Sequence, residues 1–98
     1  MNWKEIKQKY PEAWEEFLDS KHFDRLEPRR LYDFFDEYGI HVGIDKRLPW
    51  SYWIETDEDE FGEHEYYEYG NYDTRTKCEA EAFEKAFRIL EKNYEKPN

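Results

Sequence analysis

The sequence predicts an α+β domain: N-terminal helices, a three-stranded antiparallel meander and a C-terminal helix packed on the sheet. Three observations carry this expectation. Apolar residues recur at helical spacing up to residue 38. The period then switches to two between Ile40 and Tyr69. It returns to a helical period after Thr76. The 98 residues suit one domain spanning 1–98.

The first helix starts at Asn2, where Asn2-x-x-Glu5 reads as a capping box that satisfies free N–H groups of the first turn. Trp3, Ile6 and Tyr10 give its apolar side. Pro11 cannot continue that helix but suits the first position of the next, whose stripe is Trp14, Phe17 and Leu18. Asp19 to Glu27 is a connector with Phe23 and Leu26 tucked under. Pro28 opens a third helix with Leu31, Phe34, Phe35 and Tyr38 on one side, and Gly39 stands where a left-handed C-cap is expected.

Ile40, Val42 and Ile44 alternate with His41, Gly43 and Asp45, the pattern of a half-buried strand. After the turn at 45–49, Trp50, Tyr52 and Ile54 alternate with Ser51, Trp53 and Glu55 in a second strand. A third runs from His64 to Tyr69 and is broken by Gly70-Asn71. Short connections favour antiparallel pairing of consecutive strands. Thr76-x-x-Glu79 reads as a second capping box, opening a helix whose stripe is Ala80, Phe83, Ala86, Phe87, Leu90 and Tyr94. Cys78, Ala82 and Ile89 form a second stripe, so this helix is expected to be wedged between the sheet and the N-terminal helices, the rival reading being a dimer contact. Glu81–Lys85 and Glu84–Arg88 are spaced as i, i+4 ion pairs.

Composition bounds the function. The hydrophobic fraction is 38% and the charged fraction 41%, but 20% of residues are aromatic, and aromatic side chains supply a large buried area from few positions. The single cysteine rules out an intramolecular disulfide and a C-x-x-C zinc site. The N-terminus has no apolar signal core, and no run approaches the roughly 20 apolar residues of a membrane helix, so a cytoplasmic protein is expected. The net charge of -10 opposes direct nucleic-acid binding and anionic membranes.

That charge is concentrated. Leu48 to Thr74 holds no Lys or Arg but nine of the 25 acids, leaving sixteen acids against fifteen bases elsewhere. The alternation points His41, Ser51, Trp53 and Glu55 away from the core side of their strands, Asp57, Glu58, Asp59 and Glu60 form an acidic loop, and Tyr66 or Tyr67 joins the outer face according to register. Exposed aromatics anchor a contact and acids steer it, so this surface is expected to meet a basic protein partner. One form of that contact is mimicry of nucleic acid in a basic groove.

Other chemistries fit the residues less well. Asp57 to Glu68 overlaps an EF-hand loop, with Asp at positions 1 and 3, Gly at 6 and Glu at 12. Phe61 occupies a ligand position, however, and the flanks read as strands rather than helices. A metal- or small-ligand-binding module on loop 57–68 is the alternative reading. An enzyme whose site forms only in three dimensions is another. His22, His41, His64 and Cys78 match no zinc spacing. Cys78 lacks a sequence-placed activating base, and Ala82 and Ile89 beside it point to packing. No catalytic residue, metal site or cofactor is expected, and the chain is read as a monomer or weak homodimer.

The segments Lys9–Phe17 and Tyr72–Glu91 resemble the opening and closing helices of small uncharacterised proteins of phage and gut-bacterial genomes. The resemblance covers about thirty residues and implies a mobile-element origin and no activity.

Overall fold

The computed structural model describes residues 2–23, 27, 29–46, 49–57 and 65–95. Helix α1 spans Trp3–Lys9, α2 Pro11–Asp19 and α3 Arg30–Glu37. Strands β1 Ile40–Asp45, β2 Trp50–Thr56 and β3 Glu65–Tyr72 follow, and α4 Arg75–Glu95 closes the chain. The sheet has order β1-β2-β3 with both pairs antiparallel, so the chain has the expected α+β architecture.

Local signals act much as the sequence implies. Asn2 Oδ1 accepts the Glu5 N–H at 3.1 Å, and Pro11 occupies the first turn of α2. Gly39 takes φ 75° and donates its N–H to the Asp36 carbonyl at 3.1 Å, which turns the chain out of α3 directly into β1. Pro28 and Leu26 lie outside the described residues. Phe23 meets Phe17 edge-on, with ring centroids 5.5 Å apart, but it is exposed rather than tucked under the fold.

Three boundaries differ from the sequence reading. Helix α3 starts at Arg30 with Arg29 as its N-cap, later than the opening expected at Pro28. The α4 cap is Thr74, whose Oγ1 accepts the Lys77 N–H at 3.2 Å, so Thr76 lies inside the helix. Glu79 is drawn out of any box by a hydrogen bond from the Tyr32 hydroxyl at 2.6 Å. Gly70-Asn71 does not end β3. The register slips between Trp50 and Tyr52, and the strand runs on as a bulge to pair Tyr72 with Trp50. Asn71, at φ 74°, absorbs the left-handed step, which its short polar side chain tolerates.

The core is aromatic. Phe17, Phe34, Phe35, Phe83 and Phe87 are fully buried, joined by Leu31, Ile40, Ile54 and Leu90. Both stripes of α4 are used. Phe87 meets Trp14 and Phe17 of α2, while Tyr52 and Ile54 of the sheet pack into the same cluster. Cys78, Ala82 and Ile89 are buried as well, so α4 is wedged between layers as its two-sided pattern requires.

Glu91 is an unexpected part of this wedge. It is buried, and its Oε1 accepts the Ala13 N–H at 2.8 Å. Ala13 carries one of the unpaired N–H groups in the first turn of α2, so a carboxylate from α4 caps another helix across the core.

Candidate functional site

The pleat fixes which side chains share the outer face of the sheet. His41 pairs with Glu55 and Gly43 with Trp53 across β1 and β2. Glu55 pairs with Tyr66 and Trp53 with Glu68 across β2 and β3. Directly opposed residues point to the same side, so His41, Gly43, Trp53, Glu55, Tyr66 and Glu68 form one surface. On it, aromatics and carboxylates alternate as on a checkerboard. Trp53 and Tyr66 lie on one diagonal and Glu55 and Glu68 on the other.

The aromatic diagonal is stacked, with ring centroids 6.5 Å apart and planes 13° from parallel. Gly43 makes this possible. A Cβ at that position would lie 2.0 Å from Trp53 Cε2 and 2.2 Å from Cζ2. The indole therefore lies flat across the backbone of β1, over the one residue without a side chain. Trp53 is half-buried and Tyr66 is 54% exposed, so the pair is a ring platform open to solvent.

One end of the platform is fixed by His41. Its Nδ1 lies 2.8 Å from Asp36 Oδ1 and its Nε2 2.9 Å from Asp57 Oδ1. Only the imidazolium carries an N–H on both ring nitrogens, so this double bridge selects the charged form. The Asp36 hydrogen bond raises the His41 pKa above its usual 6.5. Partial desolvation opposes the rise, and the bond to Asp57 adds to it. Asp57 is further tied by its N–H to the Gly39 carbonyl at 2.8 Å, so the bridge clamps the exit of β2 to the end of α3.

A raised folded-state pKa has a definite sign. The His41 contribution to stability is complete below the unfolded value of about 6.5 and fades as pH rises through the folded value. Melting of the wild type and His41→Gln across this range is expected to differ most on the acid side and to converge at alkaline pH. A gap that widened with pH would contradict the bridge.

The structure brings Trp53, Glu55 and Tyr66 together as the alternation implies. Of the two register options it selects Tyr66. Tyr67 faces α4 instead, opposite Ile54, with Lys85 Nζ 4.7 Å from its ring centroid, and so leaves the outer surface. Asp57 sits at the edge of the surface in the His41 bridge. Glu58, Asp59 and Glu60, with the rest of the calcium-like loop to residue 64, lie outside the described residues. Cys78 is buried, and burial pushes its thiol pKa up, opposite to what a reactive thiol needs. His41 stands on this face as the alternation places it, whereas Ser51, expected to point outward as well, is buried; Gly43 and Glu68 join the face without being marked by the alternation. A glycine inside an apolar strand, facing a tryptophan, was the available signal of a close approach.

The fold and this face define an acidic α+β protein with a preformed aromatic platform on an open sheet. No protein-family model, curated protein or solved structure matches the chain. Among the described residues no helix is long and apolar enough to cross a membrane.

Proposed function

We propose that the protein is a non-enzymatic interaction module that engages a basic protein partner through the outer face of β2 and β3. The observation that carries this reading is the Trp53–Tyr66 stack held flat over Gly43 and interleaved with Glu55 and Glu68. Ring faces attract guanidinium and ammonium groups, and neighbouring carboxylates complete a site for Arg or Lys side chains. The platform needs no rearrangement to bind, which lowers the ordering cost of association. The base-free stretch from Leu48 to Thr74 adds long-range attraction to a basic surface. A cytoplasmic setting and a mobile-element origin are compatible with this role.

Affinity capture from lysate of the source cell tests it. A basic protein is expected to be retained at low salt and released as salt screens the attraction. Glu55→Gln with Glu68→Gln is expected to lose that capture while keeping the fold, because both changes preserve side-chain volume. Equal capture by the double variant would overturn the assignment.

A further inference from the structure

A concavity lies on the side of the same hairpin opposite to the platform. A groove of about 310 Å³ opens between the inner face of the sheet and α4. Tyr52, Tyr69 and Tyr72 line its sheet side, and Tyr10 joins them from the junction of α1 and α2. Glu81, Glu84, Lys85 and Arg88 line the helix side. These four are the i, i+3, i+4, i+7 row that one helix face presents.

The walls are ordered by their own contacts. The Tyr52 ring stacks on Tyr69 at 5.3 Å and lies 6.0 Å from that of Tyr72. Tyr52 is buried and serves as the floor, while Tyr69 is 44% exposed and offers its ring to the groove. Glu84 does not form the i, i+4 pair with Arg88 that its spacing suggests. Its Oε1 lies 3.4 Å from the Tyr10 hydroxyl and 3.5 Å from Lys9 Nζ. Lys85 leans over the sheet, its Nζ 5.9 Å from the Tyr69 ring centroid. Glu81 and Arg88 remain exposed, two turns and about 10 Å apart along the axis.

This lining selects a class of ligand. In a chain of net charge -10, the groove carries two acids and two bases and so favours neither cations nor anions. Its phenol hydroxyls, carboxylates and guanidinium offer many hydrogen bonds, which suits a hydroxyl-rich molecule better than an apolar one. Carboxylates and guanidinium are planar and bind two adjacent hydroxyls at once. Exposed tyrosine faces accept the C–H face of a sugar ring. The volume is at the lower end of the roughly 300–1,000 Å³ of small-molecule sites.

We propose that the groove between β3 and α4 binds a neutral saccharide of one or two rings. Tyr69 is the stacking platform, and Glu81 and Arg88 hold hydroxyls on the helix side. The site shares no residue with the outer face and stands or falls separately from it.

Amide shift mapping of the isotope-labelled full chain tests this with maltose, lactose, cellobiose and diacetylchitobiose as probes. At least one is expected to give saturable shifts at Tyr69, Tyr72, Glu81 and Arg88, with a dissociation constant of about a millimolar. Tyr69→Ala and Arg88→Ala, both at exposed positions, are expected to keep the dispersion of the folded spectrum and lose the response. The proposal is overturned if none of the four sugars gives a saturable shift, if the shifts map to another surface, or if both variants respond like the wild type. A stronger response to triglycine than to any sugar would also overturn it, because the groove would then belong to a short peptide.

Discussion

Phe87→Ala is expected to destabilise the protein by about 3–5 kcal/mol, the range for truncating a buried aromatic. Phe87 is fully buried and meets rings from both α2 and α3: Trp14 at 6.3 Å, Phe17 at 6.5 Å, Phe34 at 6.5 Å and Phe35 at 5.0 Å. Removing it opens a cavity where α2, α3 and α4 converge. Because a domain of this size is stable by only about 5–15 kcal/mol, the variant stands near the limit of folding. Denaturant unfolding at constant slope measures the loss directly. A change below about 1 kcal/mol would mean that the three helices do not share one core.

Gly43→Ala is the second large effect, and it acts on function more than on the fold. The new methyl group would stand 2.0 Å from the Trp53 indole, so the ring must leave the sheet. Overpacking of this kind costs about 1–3 kcal/mol. The indole is half-buried and borders solvent, so it has somewhere to go, and the lower part of that range is expected. The Trp53–Tyr66 stack would be lost without deleting either ring or any charge. Near-ultraviolet circular dichroism is expected to report the displaced aromatics while far-ultraviolet signal stays native. Binding of the basic partner is expected to fall with the stack. Full binding by Gly43→Ala would show that the carboxylates act without the platform.

Much of the fold was legible because period and punctuation agree along most of the chain. Asn2, Pro11 and Gly39 each act where their backbone chemistry places them, and the two stripes of α4 foretell a helix buried on two sides. The departures come from tertiary contacts that local pattern does not encode. A capping box favours Thr76, which has Glu79 three residues on, over Thr74, which has Lys77 there. The opposite choice follows from where β3 delivers the chain and from Tyr32 engaging Glu79. Gly70-Asn71 is a breaking signal, yet pairing of Tyr72 with Trp50 outweighs it, and Asn71 accepts the strain. Glu91 looks like one more surface acid of a charged helix. Its burial makes sense only once the first turn of α2 lies against it.

The site was legible to the same degree. Alternation places Trp53 and Glu55 outward, and the charge map marks the surface, but neither reveals that Tyr66 rather than Tyr67 completes it. That choice rests on a register of one residue, which turns a strand over. The role of Gly43 as the seat of the indole needs the cross-strand partner to be known. The tyrosine groove assembles residues from the α1–α2 junction, β2, β3 and α4, and no spacing in the chain announces it.

The most direct test of the proposed contact is amide and indole shift mapping of the labelled protein titrated with an oligoarginine peptide at low ionic strength. The account predicts saturable shifts at the Trp53 indole N–H and at the amides of Gly43, Glu55, Tyr66 and Glu68, reversed by added salt. Shifts confined to other parts of the molecule, with the Trp53 indole unmoved at saturation, would contradict it.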